Sequence, residues 1–170
     1  MNKTMTATRW LILLGALLVL GALNFSIAGK ERIKGRGEIV YLRLAPVDPR
    51  SLMQGDYMAL RFALAQELDK TVSRDAAGAA PGAREGEVRF AGVAIASNRV
   101  ASLADSAAPA TLKLRYRVRN GHVWLGTNAF FFQEGDAQRF STARYGEFRV
   151  DRASGEAVLV GLRDEALMAL

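Results

Sequence analysis

A few side chains in this sequence carry the chemistry from which a site could be assembled: Arg50, Ser51, Asp56, Lys70, Lys113, His122 and Glu134. Ser51 with a lysine base would be the arrangement of a serine/lysine peptidase, with Lys70 or Lys113 taking the proton. That chemistry needs a neutral lysine, and a lysine is neutral near pH 7 only where burial penalises its charge. Lys70 lies in a polar stretch and Lys113 on the polar side of an alternating run, so neither position offers that burial. Asp56, presented after Gly55 with Arg50 and Glu134 as companions, is a second arrangement. Its plainer explanation is turn chemistry, in which Gly55 takes a positive φ and Asp56 bonds the turn backbone. Arg50 is explained as simply by a structural ion pair with a nearby carboxylate. His122, directly after Asn120 and Gly121, has the position of a solvated loop tip. As a base it would need an orienting partner that the sequence does not identify. No residue is therefore assigned a catalytic role, and Arg50, Asp56, Gln133 and Glu134 stand as interaction candidates.

Composition narrows the field further. The sequence holds no cysteine, which excludes disulfides, thiolate zinc sites, iron–sulfur clusters and a cysteine nucleophile. A single histidine removes two-histidine metal motifs, so no metal or other cofactor is expected. The net charge of +6 comes from basic residues interleaved with acidic ones, without the clustering of a nucleic-acid binder. Residues 113–119 alternate basic with apolar, but Tyr116, their one aromatic, belongs to the apolar set. Nucleic acid is not an expected partner; a membrane surface explains the excess of cations at least as well.

Several elements must position these residues. Residues 1–9 form a short basic tip, and residues 10–27 are almost wholly apolar, long enough for a helix to cross a bilayer core of about 30 Å. Trp10 and Phe25 suit the two interfaces. A cleaved signal peptide competes, since Ser26 and Ala28 precede Gly29 with suitable spacing, but the run is longer than a usual signal core. A retained signal-anchor in the cytoplasmic membrane is favoured. Lys30, Arg32, Lys34 and Arg36 would hold the following domain in the cytoplasm under a literal positive-inside rule. That rule weakens for long domains, and an extracytoplasmic domain is preferred.

Residues 28–37 read as a polar juxtamembrane linker, and residues 38–170 as one domain. In it, residues 38–47 make a strand ended by Pro46 and Pro49. Residues 57–65 alternate as a strand, with 66–69 extending it or starting a short helix. Residues 75–86 are an Ala/Gly-rich loop. Residues 87–96 form the next strand. The period-two pattern on both sides of Asn120-Gly121 predicts a type I′ hairpin spanning 111–132. A short helix over 137–143, a hairpin over 144–160 and an amphipathic helix over 162–170 close the chain. The fold class is mainly β or α+β: an N-terminal transmembrane helix, then one antiparallel β-rich domain with a short C-terminal helix.

Residues 55–62, Gly55-Asp56-Tyr57-Met58-Ala59-Leu60-Arg61-Phe62, resemble the signature of the bacterial GDYXXLXY family. Gly55, Asp56, Tyr57 and Leu60 match, and Phe62 stands where the signature has tyrosine, keeping the ring and losing the hydroxyl. The lead-in from Ala45 to Ser51, with Pro49, is similar to the family's. So are the segments at Phe132 to Gly135, Arg144 to Glu147 and Gly161 to Asp164. The resemblance implies a membrane-anchored protein of unassigned activity, often encoded beside a multi-pass membrane protein that would be its partner. It brings no catalytic residues. The expected function is a non-catalytic accessory or interaction module. The alternatives are a membrane-tethered hydrolase and a small-ligand or polysaccharide sensor.

Overall fold

A computed structural model describes residues 2–45, 53–54, 57–77 and 86–170. Pro49, Arg50, Ser51, Gly55 and Asp56 therefore lie outside the described residues, as does most of the Ala/Gly-rich loop.

The first element, α1, runs unbroken over Asn2–Arg36. Its stretch Trp10–Arg36 is long and apolar enough to cross a membrane, and no part of its most apolar window is buried by the rest of the protein. Residues 28–37, expected as a linker, instead continue this helix by more than two turns. The segment is rich in helix-forming Lys, Glu and Arg, with Lys34 and Glu31 paired one turn apart. Cations Lys34 and Arg36 in the last turn suit the negative end of the helix. Gly37 ends it: its amide bonds Ile33 O at 2.7 Å, and a Cβ there would lie 3.0 Å from Arg149 Cβ.

Among the described residues ten strands come after it: β1 (Glu38–Arg43), β2 (Met53–Gln54), β3 (Tyr57–Ala59), β4 (Val88–Ile95), β5 (Val100–Leu103), β6 (Leu112–Arg119), β7 (His122–Trp124), β8 (Ala129–Phe131), β9 (Tyr145–Val150) and β10 (Ala157–Arg163). Helix α2 (Ala63–Ala77) lies between β3 and β4, and a single turn, α3 (Ala137–Phe140), between β8 and β9. Seven strands make one sheet in the order β10-β9-β1-β5-β4-β6-β7. All neighbours are antiparallel except β1 and β5, which are parallel. The sheet curls until its ends meet. Gly155, in the β9–β10 turn, accepts from Arg115 N at 2.7 Å, and a Cβ on Gly126 would come within 2.8 Å of Ala157 O. The alternate residues Val40, Leu42, Val93, Leu114, Phe148 and Val150 fill the interior.

The structure departs from the sequence expectations at three further places. The strand expected over 57–65 stops at Ala59. Leu64, Leu68 and Val72 recur at the four-residue spacing of a helix and are all buried, so α2 begins at Ala63. The hairpin over 111–132 has its turn as expected, with positive φ at Asn120 and Gly121, but its second strand ends at Trp124. Gly126, at φ +76°, turns the chain out of the large sheet, and β8 pairs with the signature strand β3 instead. Finally, residues 164–170 form no helix. Asp164 Oδ1 accepts from the amides of Ala166 and Met168 at 2.9 and 2.8 Å, and the chain folds back to bond Leu170 N to Leu162 O. A side chain that captures local amides in this way competes with helical bonding, and the segment is too short to nucleate a helix against it.

Candidate functional site

The signature residues divide their work among three surroundings. Tyr57 to Ala59 form β3, the middle strand of a small sheet ordered β2-β3-β8, with Tyr57 opposite Phe131 and Ala59 opposite Ala129. Leu60 and Phe62 point into the core at 2% and 1% exposure. Phe62 meets Phe148 edge-on at 5.2 Å between ring centroids, over the bare Gly146. Arg61, between them, is exposed. Tyr57, Leu60 and Phe62 are thus held by two buried side chains and one cross-strand pair.

On the small sheet, Tyr57 packs on Phe131 at 5.9 Å, and Phe131 is 74% exposed. Phe130 and Phe132 turn the other way, onto Phe140 of α3 at 5.1 and 5.3 Å. Gln133 and Glu134 lie in the exposed turn after β8, where Asp136 N bonds Gln133 O at 3.0 Å. They stand two and three residues beyond Phe131, the partner of Tyr57, and Tyr57 directly follows Asp56 in the chain.

The other side of the signature opens on a groove of about 400 Å³ lined by Leu60, Arg61, Asp69, His122, Trp124 and Asn128 among others. Asp69 Oδ1 accepts from Val123 N at 2.6 Å, and Asp69 Oδ2 lies 3.4 Å from His122 Nδ1. The sequence could not supply this partner because Asp69 and His122 are 53 residues apart. The signal that would have found it is the helical spacing of Leu64, Leu68 and Val72, which turns Asp69 toward the hairpin tip. A histidine oriented by a carboxylate is half of a hydrolytic constellation, but the His122 side chain is 76% exposed. Its position joins α2 to the β6–β7 hairpin and frames the groove. Lys70 and Lys113 are both exposed, on separate elements. Among the described residues no cluster of three His, Cys, Asp or Glu side chains can hold a metal ion.

On the outer face of the large sheet, Glu147 is buried and takes Arg163 Nε at 2.6 Å. The Arg163 guanidinium lies 5.9 Å over the Tyr41 ring and donates to Leu167 O. This cluster ties the C-terminal turn to the sheet. Residues 19–162 match the family model described as GDYXXLXY protein.

The chain belongs to the GDYXXLXY family.

No curated protein and no solved structure shows significant similarity to this GDYXXLXY protein. The match extends from inside α1 to the end of β10, so the family model takes in part of the apolar helix as well as the β-rich domain. In this GDYXXLXY domain the hydroxyl absent at Phe62 would fall in a site 1% exposed, packed by apolar side chains, where the ring alone fills the space.

Proposed function

We propose that this GDYXXLXY protein is a non-catalytic accessory module. A single helix would hold it in the cytoplasmic membrane, and its β-rich domain, outside the cytoplasm, would bind a neighbouring multi-pass membrane protein. The observation that carries the reading is Phe131, a large aromatic left 74% exposed beside Tyr57 of the signature. Exposed aromatic anchors flanked by polar groups are the usual centre of a protein interface. Gln133 and Glu134 would supply the polar flank here, with Arg50 and Asp56 joining them from the signature turn. Contacts between the helix and the domain also support it, because Ile33 is buried and Lys30 is paired with Glu156. Such contacts would hold the surface near a membrane-embedded partner.

A photo-crosslinking residue at position 131, expressed from membranes with its genomic neighbour, should join the chain to that integral membrane protein. Asp56→Ala and Glu134→Ala should weaken co-purification. Equal recovery of the partner with Phe131→Ala and both of these variants would refute the interface. Protease protection on intact spheroplasts reads the side of the membrane: cleavage only after lysis would place the domain in the cytoplasm.

The groove at Asp69 and His122 favours a second reading, a small-ligand sensor. Its volume is that of a small-molecule site, and Arg61, Asp69 and Asn128 converge on it. A thermal-shift screen tests it, because a bound ligand raises the unfolding midpoint and Arg61→Ala should abolish the rise.

A further inference from the structure

The outer face of β6, with β4 and β7 beside it, gathers cations beside the emerging helix. Lys30 of α1, Arg115, Arg117 and Arg119 of β6, Trp124 of β7 and Glu156 line one groove of about 320 Å³. Lys30 is already paired with Glu156, the one carboxylate there. Among the described residues none of the three arginines has a carboxylate partner; Arg119 instead lies 5.4 Å over the Trp124 ring. Three arginines therefore share one groove, and Arg115 and Arg117 have no carboxylate partner among the described residues.

The depth of this groove follows from the helix. Lys30 comes three residues after Ile27, the last of the apolar run. At about 1.5 Å per residue that is about 4.5 Å beyond the hydrocarbon edge. A bilayer's polar layer is about 5–8 Å thick on each side, so the groove begins within it. The β9–β10 turn supports the proximity, since Gly29, Arg152 and Ser154 border a common cavity. Beside the arginines stand two exposed apolar side chains, Val88 opposite Arg117 and Phe90 opposite Arg115, at 39% and 56% exposure. Cations with adjacent exposed apolar groups, at headgroup depth, make up the side-chain set of a lipid-binding surface.

The geometry points to this groove as a subsite for the phosphate of an anionic phospholipid, with Arg115 and Arg117 as its direct ligands and Phe90 and Val88 set against the glycerol and upper acyl region. Arginine suits the role because its planar fork donates two parallel hydrogen bonds to a phosphate. The inference rests on the reading that α1 crosses the membrane, and on nothing about the protein partner.

The test is native mass spectrometry of the full chain released from micelles of equimolar phosphatidylglycerol and phosphatidylcholine. The wild type should retain phosphatidylglycerol preferentially. Each of Arg115→Gln and Arg117→Gln should lower that preference about fivefold, as expected for one cation near an anionic surface. Arg115→Lys with Arg117→Lys should retain most of it, and Arg43→Gln, which removes the same charge elsewhere, should leave it unchanged. Equal retention of the two lipids by the wild type would overturn the proposal, as would a loss with Arg43→Gln as large as with Arg117→Gln. Displacement of the lipid by millimolar inorganic phosphate would likewise overturn it in favour of a free-anion site. Resistance of each variant to carbonate extraction distinguishes failure of this subsite from failure of the anchor, and an unchanged melting midpoint shows that the glutamine variants fold.

Discussion

Truncating Phe62 to alanine separates the structural work of the signature from any binding work. The ring is 1% exposed and meets Phe148 edge-on at 5.2 Å. It lies so close over Gly146 that a Cβ there would come within 2.9 Å of Phe62 Cε1. Removing a buried phenyl group loses its transfer free energy and leaves a cavity, for about 3–5 kcal/mol. Of this the edge-to-face contact accounts for about 1 kcal/mol. Set against a domain stability of about 5–15 kcal/mol, Phe62→Ala removes at least about a fifth of it. With a urea dependence of about 2 kcal/mol per M, the unfolding midpoint should fall by about 2 M. The assay is urea unfolding of the full chain in micelles, followed by the emission of Trp124. The sequence has two tryptophans, so Trp10→Phe makes Trp124 the only reporter. Phe131→Ala, at a position 74% exposed, is the control and should change stability by no more than about 0.5 kcal/mol. A fall of less than about 0.5 M for Phe62→Ala would refute the reasoning, as would an equal loss for Phe131→Ala.

Arg163→Met leaves the Glu147 carboxylate, whose side chain is 9% exposed, without its partner. Chemical unfolding should show a loss of about 3 kcal/mol, and Glu147→Gln with Arg163→Met should recover part of it. Asp69→Ala removes the acceptor of the Val123 amide. A cost of about 1–2 kcal/mol and faster hydrogen exchange at Val123 are expected, with little change at β9. The Asp151 carboxyl is held below the usual carboxylate range by hydrogen bonds from the Ser154 hydroxyl and then from the Ser154 and Ala153 amides. A depressed pKa stabilises the folded state above the unfolded value of about 3.9 and loses that contribution as pH falls through the folded one. The stability difference between wild type and Asp151→Ala should therefore be complete at neutral pH and shrink below about pH 4.

What the sequence disclosed was mostly local. The Asn120-Gly121 turn, the alternation of Leu112, Leu114, Tyr116 and Val118, and the apolar run all depend on neighbours a few residues away, and each is found in the structure. The polar composition of residues 28–37 reads as a linker, but its Lys, Glu and Arg are also helix formers, and α1 continues to Arg36 with Ile33 buried. Helix α2 was obscured because alternation in residues 57–62 runs directly into the helical spacing of Leu64, Leu68 and Val72. The exit of β8 into the small sheet, the pairing of Asp69 with His122 and the union of Lys30 with the β6 arginines join residues 50 or more apart, which no local pattern encodes. Of the named site residues, Tyr57, Leu60, Phe62, Gln133 and Glu134 have a described place in the structure, and Arg50, Asp56, Gly55 and Pro49 lie outside it.

The position of β1 has a consequence for the order of assembly. It is the first strand after α1, yet it sits inside the large sheet with β9 on one side and β5 on the other. Its pairing with β9 joins Glu38 to Val150, almost the whole length of the domain. During synthesis the helix and β1 emerge early, while the edge that β9 covers must stay open until nearly the last residues have been made. Closing so long a loop is slow, and an uncovered strand edge invites wrong pairings meanwhile. The maturation of this protein should therefore be limited by the arrival of its C-terminal hairpin, and a chain truncated before Tyr145 should be inserted in the membrane but remain unfinished and open to proteolysis.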